Sequence, residues 1–329
     1  MATIKDIADE VGISKAAVSR ILNHKGSFSN DTIKKVERAA KRLNYKTINM
    51  LMEENSAENK SIAVVFPTTV SANYGVFTSL IEQAAYDYGY DIWPCSSLFE
   101  NCSEEEFFQE MKKKNVSGIL LGTYVKDGAA LKEKGIPVVT VGFTAGEGIL
   151  SVSSDNYSCG RIAARHLLGK GCHSLLYITR FPEGVKYDPK YKGFLEEAQK
   201  NGAQVWPYQV DLDMDFIHDA PGIMTEMVME HPEADGVFSE TFRLASVLYK
   251  TYMDIGYKIP QDIKIIGYGN DYMSVYSSPR LTIVKENIRQ IASRAVAVLI
   301  DQVENEEPQD ADKELEIKVP VSLEVAQTT

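Results

Sequence analysis

Residues 14–23, SKAAVSRILN, combine the side-chain types that a helix needs to read DNA bases. The small side chains of Ala16 and Ala17 allow close approach to another surface, and Lys15 and Arg20 place charged donors beside them. Lysine and arginine donate hydrogen bonds to guanine in the major groove. The spacing therefore predicts a helix whose first turns enter that groove. A small helical hairpin in an ordinary α-domain is the alternative that the same spacing allows.

Neighbouring helices must hold this segment in place. Gly12 can adopt the left-handed conformation that ends a first helix, and Ser14 is a natural N-cap for the second. A third helix is expected from about Asn30 to Leu43, with Ser29 among its capping residues. The apolar positions that recur at helical spacing, and are therefore predicted to be buried, are Ile4, Ile7, Ala8, Val18, Ile21, Leu22, Ile33, Val36, Ala40 and Leu43.

The charge distribution separates a basic head from an acidic body. Residues 1–46 hold ten Lys/Arg and five Asp/Glu, whereas the whole chain holds 35 and 46. The head therefore carries a net charge of +5, and the remaining 283 residues carry −16. This asymmetry is typical of a DNA-binding domain attached to a body with a different role.

The segment ATIKDIADEVGISKAAVSRILN (2–23) resembles the DNA-reading head of the LacI/GalR family of bacterial transcriptional regulators. The resemblance implies that the first turns of the second helix face base edges, while Ser14 and Ser19 meet the sugar-phosphate backbone. Tyr45 fits the tyrosine that follows the third helix in the family. The residues expected to contact double-stranded DNA are Thr3, Ser14, Lys15, Ala16, Ala17, Ser19, Arg20, Asn23, Ser29, Tyr45, Leu51 and Met52.

Residues 47–60 are expected to form a hinge after the helix-turn-helix domain of residues 1–46. In the family this stretch folds into a helix on DNA, and one leucine wedges into the minor groove. Ungapped alignment places Glu54 at the leucine position, where a carboxylate would be repelled. Either Leu51 or Met52 is the wedge in a shifted register, or the hinge bends DNA little. A flexible tether without a DNA role is the third alternative.

From Ser61 onward the chain alternates between strand and helix patterns. The run SIAVVF (61–66) is typical of a strand buried on both faces. Two successive sets of such alternation predict an α/β body of two lobes, each with a parallel doubly wound sheet. The predicted strands are 61–66, 90–94, 118–122, 137–142, 175–179, 203–208, 235–239, 263–269 and 281–284. Helices are expected near 77–88, 104–114, 128–134, 155–171, 189–201, 216–230, 243–255 and 287–303.

The body, residues 61–329, is expected to bind an effector and to form a homodimer. The first lobe is assigned to about 61–155 plus 285–305, and the second lobe to about 156–284 plus 306–329. The alternating segment ELEIKVPVSLEV (314–325) is expected as an antiparallel edge. The family resemblance extends over most of 61–325 and implies a body similar to periplasmic sugar-binding proteins.

Small ligands bind such bodies in the cleft, at the carboxyl ends of the strands. An aromatic wall at Tyr74 and Phe77 would stack on a sugar, and Asp155 would bond hydroxyl groups. The alternative is that Phe77 is core and that Asp155 caps the helix beginning at 156. Matching the family pattern residue by residue gives the effector-binding set Tyr74, Phe77, Asp155, Lys190, Thr241, Phe242, Asn270 and Glu286, with Gly269 beside it.

Several of these positions depart from the family pattern. Lys190 replaces an arginine and loses its planar fork. Thr241-Phe242 replaces Asn-Asp, Gly269 stands where a carboxylate is usual, and Glu286 replaces glutamine or histidine. We therefore expect an unusual effector or weak binding. A ligand with an apolar part would fit Phe242 and Trp93.

Composition excludes several classes of protein. No apolar run reaches membrane-spanning length, and no signal peptide begins the chain, so a cytoplasmic protein is expected. The four cysteines and five histidines are scattered, which predicts free thiols and neither a metal nor a cofactor. No phosphate loop, nucleophile elbow or dinucleotide fingerprint is present, which argues against an enzyme. The basic head argues against a free sugar-binding protein.

These observations predict a sequence-specific transcriptional regulator. The expected form is a homodimeric repressor of a carbohydrate-utilisation operon that binds an inverted-repeat operator. A small effector, expected to be a sugar or sugar derivative, would shift the equilibrium between open and closed bodies and change DNA affinity. The alternative is a regulator with an atypical or lost sugar effector that acts as an activator or global regulator.

Overall fold

The computed structural model describes residues 3–22, 26, 28–43, 45, 60–66, 72–95, 103–123, 135–142, 149–180, 184–211, 218–274, 277–305 and 315–329. The chain divides into two compact units, Met1–Lys60 and Ser61–Thr329. The predicted hinge lies almost wholly outside the described residues, as do Asn23, Leu51, Met52 and the helix expected near 128–134.

The head consists of three helices, α1 (Ile4–Val11), α2 (Lys15–Leu22) and α3 (Asn30–Arg42). The predicted apolar faces meet in one core, in which Ile7, Val18 and Val36 are completely buried. Gly12 ends α1 with φ 73° and ψ 33°, the left-handed conformation that its position required. The sequence prediction of this unit is confirmed in element type and in buried face.

The body contains two six-stranded sheets. The first has the order β11-β5-β4-β3-β1-β2 and the second the order β12-β10-β9-β8-β6-β7. The strands are β1 (Lys60–Val65), β2 (Tyr90–Pro94), β3 (Gly118–Leu121), β4 (Val138–Val141), β5 (Leu150–Ser154), β6 (Ser174–Thr179), β7 (Gln204–Gln209), β8 (Gly236–Ser239), β9 (Lys264–Gly269), β10 (Thr282–Lys285), β11 (Glu316–Val319) and β12 (Ser322–Glu324).

Helices cover both faces of each sheet. The first sheet packs against α4 (Ala72–Tyr86) and α11 (Ile288–Glu304) on one face and α5 (Glu104–Lys113) on the other. The second sheet packs between α6 and α7 on one face and α8 and α9 on the other. These helices span Asn156–Gly169 (α6), Pro189–Lys200 (α7), Ala220–Glu230 (α8) and Phe242–Ile255 (α9), and a single turn, α10, spans Asp271–Ser274.

The chain passes between the two lobes three times. It crosses between β5 and α6, between β10 and α11, and between β11 and β12, because each partner in these pairs packs in a different lobe. Residues of the first sheet with α4, α5 and α11 are called the first lobe below, and those of the second sheet with α6–α10 the second lobe. The two-lobed α/β body is therefore confirmed.

Two details differ from the sequence prediction. Strand β5 was not predicted, although all five of its residues are buried. The assignment of 306–329 to the second lobe as an antiparallel edge is wrong for β11, which pairs parallel to β5 in the first sheet, with Glu316 opposite Ser151. Only β12 is antiparallel, to β10. The alternation of apolar and polar residues along 314–325 predicted the two strands, but not that the chain crosses between the lobes at Pro320.

None of the helices in the described ranges is long and apolar enough to cross a membrane. Cys95, Cys159 and Cys172 are free thiols and are buried. Within the same ranges, the His, Cys, Asp and Glu side chains form no group of three that would hold a metal ion.

Candidate functional site

The turn before α2 fixes where the candidate reading helix begins. Ser14 accepts a hydrogen bond from the Ala17 N–H at 3.2 Å, so it caps α2 as its position predicted. Thr3 forms a capping box with Asp6 at the start of α1, in which its N–H and its hydroxyl both donate to the carboxylate at 2.8 Å. These bonds lower the pKa of Asp6, the backbone donor contributing most.

Helix α2 divides into a buried and an accessible face. Val18, Ile21 and Leu22 are buried in the head core. Lys15, Ala16 and Arg20 are exposed, and Ala17 and Ser19 are half-buried. The exposed face therefore holds two cations flanking a small side chain, on the first two turns of a helix. This arrangement fits the floor of a major groove, where a bulky side chain at 16 would hold the helix away.

The other described head residues have structural roles. Ser29 caps α3, since its hydroxyl accepts from the Thr32 N–H at 3.2 Å. Tyr45 packs against the head core, and its N–H donates to the Ala40 carbonyl at 2.9 Å. An ion pair between Arg42 and Glu10 joins α3 to α1. These contacts fix Ser29 and Tyr45 relative to α3. The two residues can therefore still contact the phosphates of bound DNA, as predicted.

In the body, a close approach between α6 and α7 positions Lys190 at the carboxyl edge of the second sheet. A Cβ at Gly160 of α6 would lie 1.9 Å from the Lys190 carbonyl oxygen, and one at Gly193 of α7 would lie 2.1 Å from the Tyr157 carbonyl oxygen. Both positions therefore require glycine for steric reasons. This close crossing brings the first turn of α7, and with it Lys190, over the strand ends.

The Lys190 ammonium lies among carboxylates and against an aromatic face. Its Nζ is 4.7 Å from the centre of the Tyr268 ring. Burial acts to lower the pKa of Lys190, but the charges of Asp188, Glu240 and Glu286 outweigh it, so that the pKa is raised. Lys190 is therefore a stable cation at this edge, and it can donate to a ligand oxygen.

Asp188 and Glu240 are held by donors from the end of β6. Asp188 accepts from the hydroxyls of Tyr177 at 2.5 Å and Thr179 at 3.0 Å, and from the Lys190 N–H at 2.8 Å. Glu240 accepts from the Arg180 N–H, and its carboxyl oxygen lies 2.7 Å from the Thr179 hydroxyl. Burial raises the pKa of Glu240, against the lowering effect of Lys190. The edge thus contains fixed acceptors next to one fixed ammonium.

A second group of bonds links Glu286 to both lobes. Its carboxylate accepts from the Tyr268 hydroxyl and from the Asn270 amide, each at 3.0 Å. The Tyr268 hydroxyl also lies 2.9 Å from that of Ser154, which ends β5 in the first sheet. Burial raises the pKa of Glu286, although both donors and Lys190 oppose the shift. Two of the three chain crossings therefore meet at one buried carboxylate.

Tyr74 faces this edge from the first lobe. Its ring stacks on Phe66 with centroids 5.0 Å apart. Burial, followed by the charge of Glu286, raises its pKa, while Arg180 and Arg243 act in the opposite direction. Arg180 and Arg243 belong to the second lobe, so the Tyr74 phenol is within electrostatic reach of the polar edge. Phe77 is only 6% exposed and packs on Phe66 in the core. It is therefore a core residue, the alternative that the sequence analysis gave for it.

The remaining predicted effector residues serve the backbone or the core. Asp155 accepts from the Ser158 N–H at 2.9 Å and caps α6. Thr241 accepts from the Leu244 N–H at 3.2 Å and caps α9. Phe242 is 9% exposed and belongs to the core beneath α9. Trp93 is exposed, and the Lys114 ammonium lies 4.6 Å from the centre of its ring.

A cavity of about 730 Å³ lies where β10 leads into α11. It is lined by residues 270–272, 285–290 and 320–322. Of the predicted effector residues, Asn270 and Glu286 border it, and Lys190, Tyr74 and Phe242 do not. The cavity thus adjoins two chain crossings, and one of its lining residues, Glu286, has a charge that acts on Lys190.

Sequence reasoning missed Asp188, Glu240, Tyr268 and Ser154. Two of them had a local signal, because Asp188 immediately precedes the predicted helix at 189 and Glu240 immediately follows the predicted strand at 235–239. Polar residues at such positions lie at the carboxyl edge of a parallel sheet. Tyr268 and Ser154 carried no such signal, since their pairing depends on how the two lobes meet.

Comparison with known proteins agrees with this geometry. The model for bacterial regulatory proteins of the lacI family matches residues 3–47, and the model for the periplasmic binding protein-like domain matches residues 164–326. The chain is 29% identical, over 331 aligned positions, to the ribose operon repressor of Halalkalibacterium halodurans, with coverage of 100% of this chain and 97% of the relative. It is 26% identical to the sucrose operon repressor of Streptococcus mutans, covering 94% and 96% of the two chains.

A solved structure shares the fold of the body. This is the periplasmic binding protein/LacI transcriptional regulator from Alkaliphilus metalliredigens complexed with D-xylulofuranose, with a TM-score of 0.70 and 24% identity. The similarity covers 82% of this chain and 99% of that one. With its helix-turn-helix head and its two-lobed body, the chain belongs to the LacI/GalR family of bacterial transcriptional regulators.

Proposed function

We propose that this protein is a sequence-specific repressor whose affinity for DNA is controlled by a small hydroxyl-bearing effector. The observation that carries the DNA-binding part is the accessible face of α2, where Lys15, Ala16 and Arg20 are exposed on a helix anchored by Val18 and Ile21. The net charge of +5 on residues 1–46 favours the phosphate backbone, as described above. This arrangement supports a role in regulation rather than in catalysis, and we propose that the protein acts in the cytoplasm.

The effector site is proposed at the carboxyl edge of the second sheet, opposite Tyr74. Lys190 supplies a donor, and Glu240 and Glu286 supply acceptors within the same buried region. Adjacent donors and acceptors suit the hydroxyl groups of a sugar, each of which both donates and accepts. The ribose and sucrose operon repressors among its relatives support a regulon of carbohydrate use.

Effector binding acts through the chain crossings. Glu286 lies on the segment between β10 and α11 and is bonded to Tyr268, whose hydroxyl contacts Ser154 of the other lobe. A ligand that binds Lys190 and Glu286 changes the balance between lobe arrangements by its differential affinity for them. A homodimer would then change the spacing of its two heads on an inverted repeat.

The test is selection of fragments from the source genome by the purified full-length protein, followed by footprinting of the enriched fragments. We expect a short inverted repeat to be protected, and a sugar or a sugar derivative to weaken that protection. Lys190→Met should keep the footprint and lose the effector response. Uniform enrichment of all fragments would overturn the proposal, and so would turnover of a substrate without DNA selection.

A further inference from the structure

One part of the proposed effector site is apolar. Gly269 ends β9, and the space where its side chain would stand is filled by Phe242 and Met273. A Cβ built at Gly269 would lie 3.2 Å from the Phe242 Cβ and 3.6 Å from the Met273 sulfur. We call Phe242, Gly269 and Met273 the β9 patch. Neither of its two side chains can donate or accept a strong hydrogen bond.

The β9 patch lies between polar strand ends. β8 is followed by Glu240, and β10 by Glu286, whose N–H donates to the Gly269 carbonyl at 2.8 Å. The strand order places β9 between β8 and β10. A ligand spanning this edge therefore meets acceptors on two sides and an apolar surface between them.

The first lobe stands against the same region. Met273 lies on α10, which packs against α4, the helix that carries Tyr74. Met273 is half-buried, so part of its side chain remains accessible. A ligand held between Tyr74 and the polar edge would have one side against Met273, with the largely buried Phe242 behind it.

We propose that the effector is a deoxy sugar, whose carbon without a hydroxyl group rests on the β9 patch while its remaining hydroxyls bond Lys190, Glu240 and Glu286. This inference rests on the proposed function and names its ligand class. A hydroxyl buried against the patch would lose its hydrogen bonds to water and gain none. The corresponding parent sugar should therefore bind about 10- to 100-fold more weakly than the deoxy sugar.

The experiment is isothermal titration of the full-length protein with matched sugars that differ by one hydroxyl. The pairs are D-ribose and 2-deoxy-D-ribose, D-glucose and 6-deoxy-D-glucose, D-galactose and D-fucose, and L-mannose and L-rhamnose. We expect at least one deoxy member to bind at least about tenfold more tightly than its parent. Deoxy members that bind no better than their parents in all pairs would overturn the inference, as would a panel in which no deoxy sugar binds at millimolar concentration.

Two variants assign the preference to the patch. Met273→Gln adds an amide of similar size and should bring the affinity ratio of the selective pair close to one. Met253→Gln makes the same change at an exposed methionine on α9 and should leave the ratio unchanged. An unaltered ratio in Met273→Gln would contradict the assignment. Selective DNA binding is measured on the same preparations, so that loss of the proposed function is distinguished from a wrong ligand class.

Discussion

The Glu286 N–H donates to the Gly269 carbonyl at 2.8 Å, so a glutamate stands beside a strand end that has no side chain. β9 and β10 are parallel neighbours, with Lys285 opposite Gly269. The segment that follows the neighbouring strand therefore supplies a carboxyl group beside the position at which the family resemblance implies one. The Glu286 carboxylate is part of a hydrogen-bonded network rather than free at the surface, because it also accepts hydrogen bonds from Tyr268 and Asn270.

Stability should depend on pH through Glu286. Burial holds its folded-state pKa above the ordinary glutamate value, so the native state retains the proton more strongly than the unfolded chain does. That contribution to stability is complete below about pH 4, near the unfolded pKa, and is lost as pH rises through the folded pKa. Glutamine does not ionise, so Glu286→Gln does not lose stability in this way. The unfolding free energy of the variant minus that of the wild type should therefore increase with pH.

Urea denaturation at several pH values from acidic to neutral measures this difference in the effector-free protein. Glu226→Gln makes the same change at an exposed glutamate of α8 and is the matched control, and the difference should grow more with pH for Glu286→Gln than for this control. A constant difference for Glu286→Gln would mean that Glu286 titrates as an ordinary surface carboxyl.

The crossing of α6 and α7 should tolerate no side chain. Gly193→Ala places a Cβ 2.1 Å from the Tyr157 carbonyl oxygen, which forces the helices apart and moves Lys190. We expect a loss of about 1–3 kcal/mol or more in unfolding free energy, together with weaker effector binding. Thermal denaturation and titration with the effector report the two consequences.

Gly222→Ala is the matched control for that change. Gly222 lies in α8, and a Cβ there meets nothing within 4 Å. Alanine should stabilise this helix by up to about 1 kcal/mol. If both variants behaved alike, the close crossing would not be what fixes Lys190.

Removing one hydroxyl should weaken the link between lobes. Tyr268→Phe deprives Glu286 and Ser154 of a partner while keeping the ring beneath Lys190. We expect a cost of about 1–3 kcal/mol and an altered distribution of lobe arrangements in small-angle X-ray scattering. Ser154→Ala should be non-additive with it, since both variants remove the same contact.

Tyr252→Phe makes the identical chemical change with the opposite expectation. The Tyr252 hydroxyl is buried in the second-lobe core and has no hydrogen-bond partner in the described structure. Its removal should be neutral or stabilising. Equal destabilisation by the two substitutions would show that the Tyr268 hydroxyl has no special role.

The sequence predicted what depends on local periodicity. The buried faces of α2 and α3 followed from spacing at positions such as Val18 and Val36, and SIAVVF gave β1, because a strand covered on both faces must be continuously apolar. Strand β5 escaped this rule because LSVSS contains three serines. They are buried there, and Ser154 uses its hydroxyl toward Tyr268.

Contacts between distant segments escaped prediction for a different reason. The parallel pairing of β11 with β5 joins residues more than 150 positions apart, and alternation of side chains is the same in parallel and antiparallel strands. In the candidate site, matching to the family pointed to Lys190 and Glu286, but not to Asp188, Glu240 and Tyr268, which interact with them. Their roles depend on the three-dimensional arrangement of strand ends.

The central claim is that the exposed face of α2 reads base sequence, and fluorescence anisotropy with the selected DNA tests it most directly. At physiological salt the wild type should bind its selected site at least about 1,000-fold more tightly than a scrambled duplex. Arg20→Ala should lose about 1–3 kcal/mol on the selected site and little on the scrambled one, so that the ratio falls. An equal loss on both duplexes, or a wild-type ratio near one, would contradict the account.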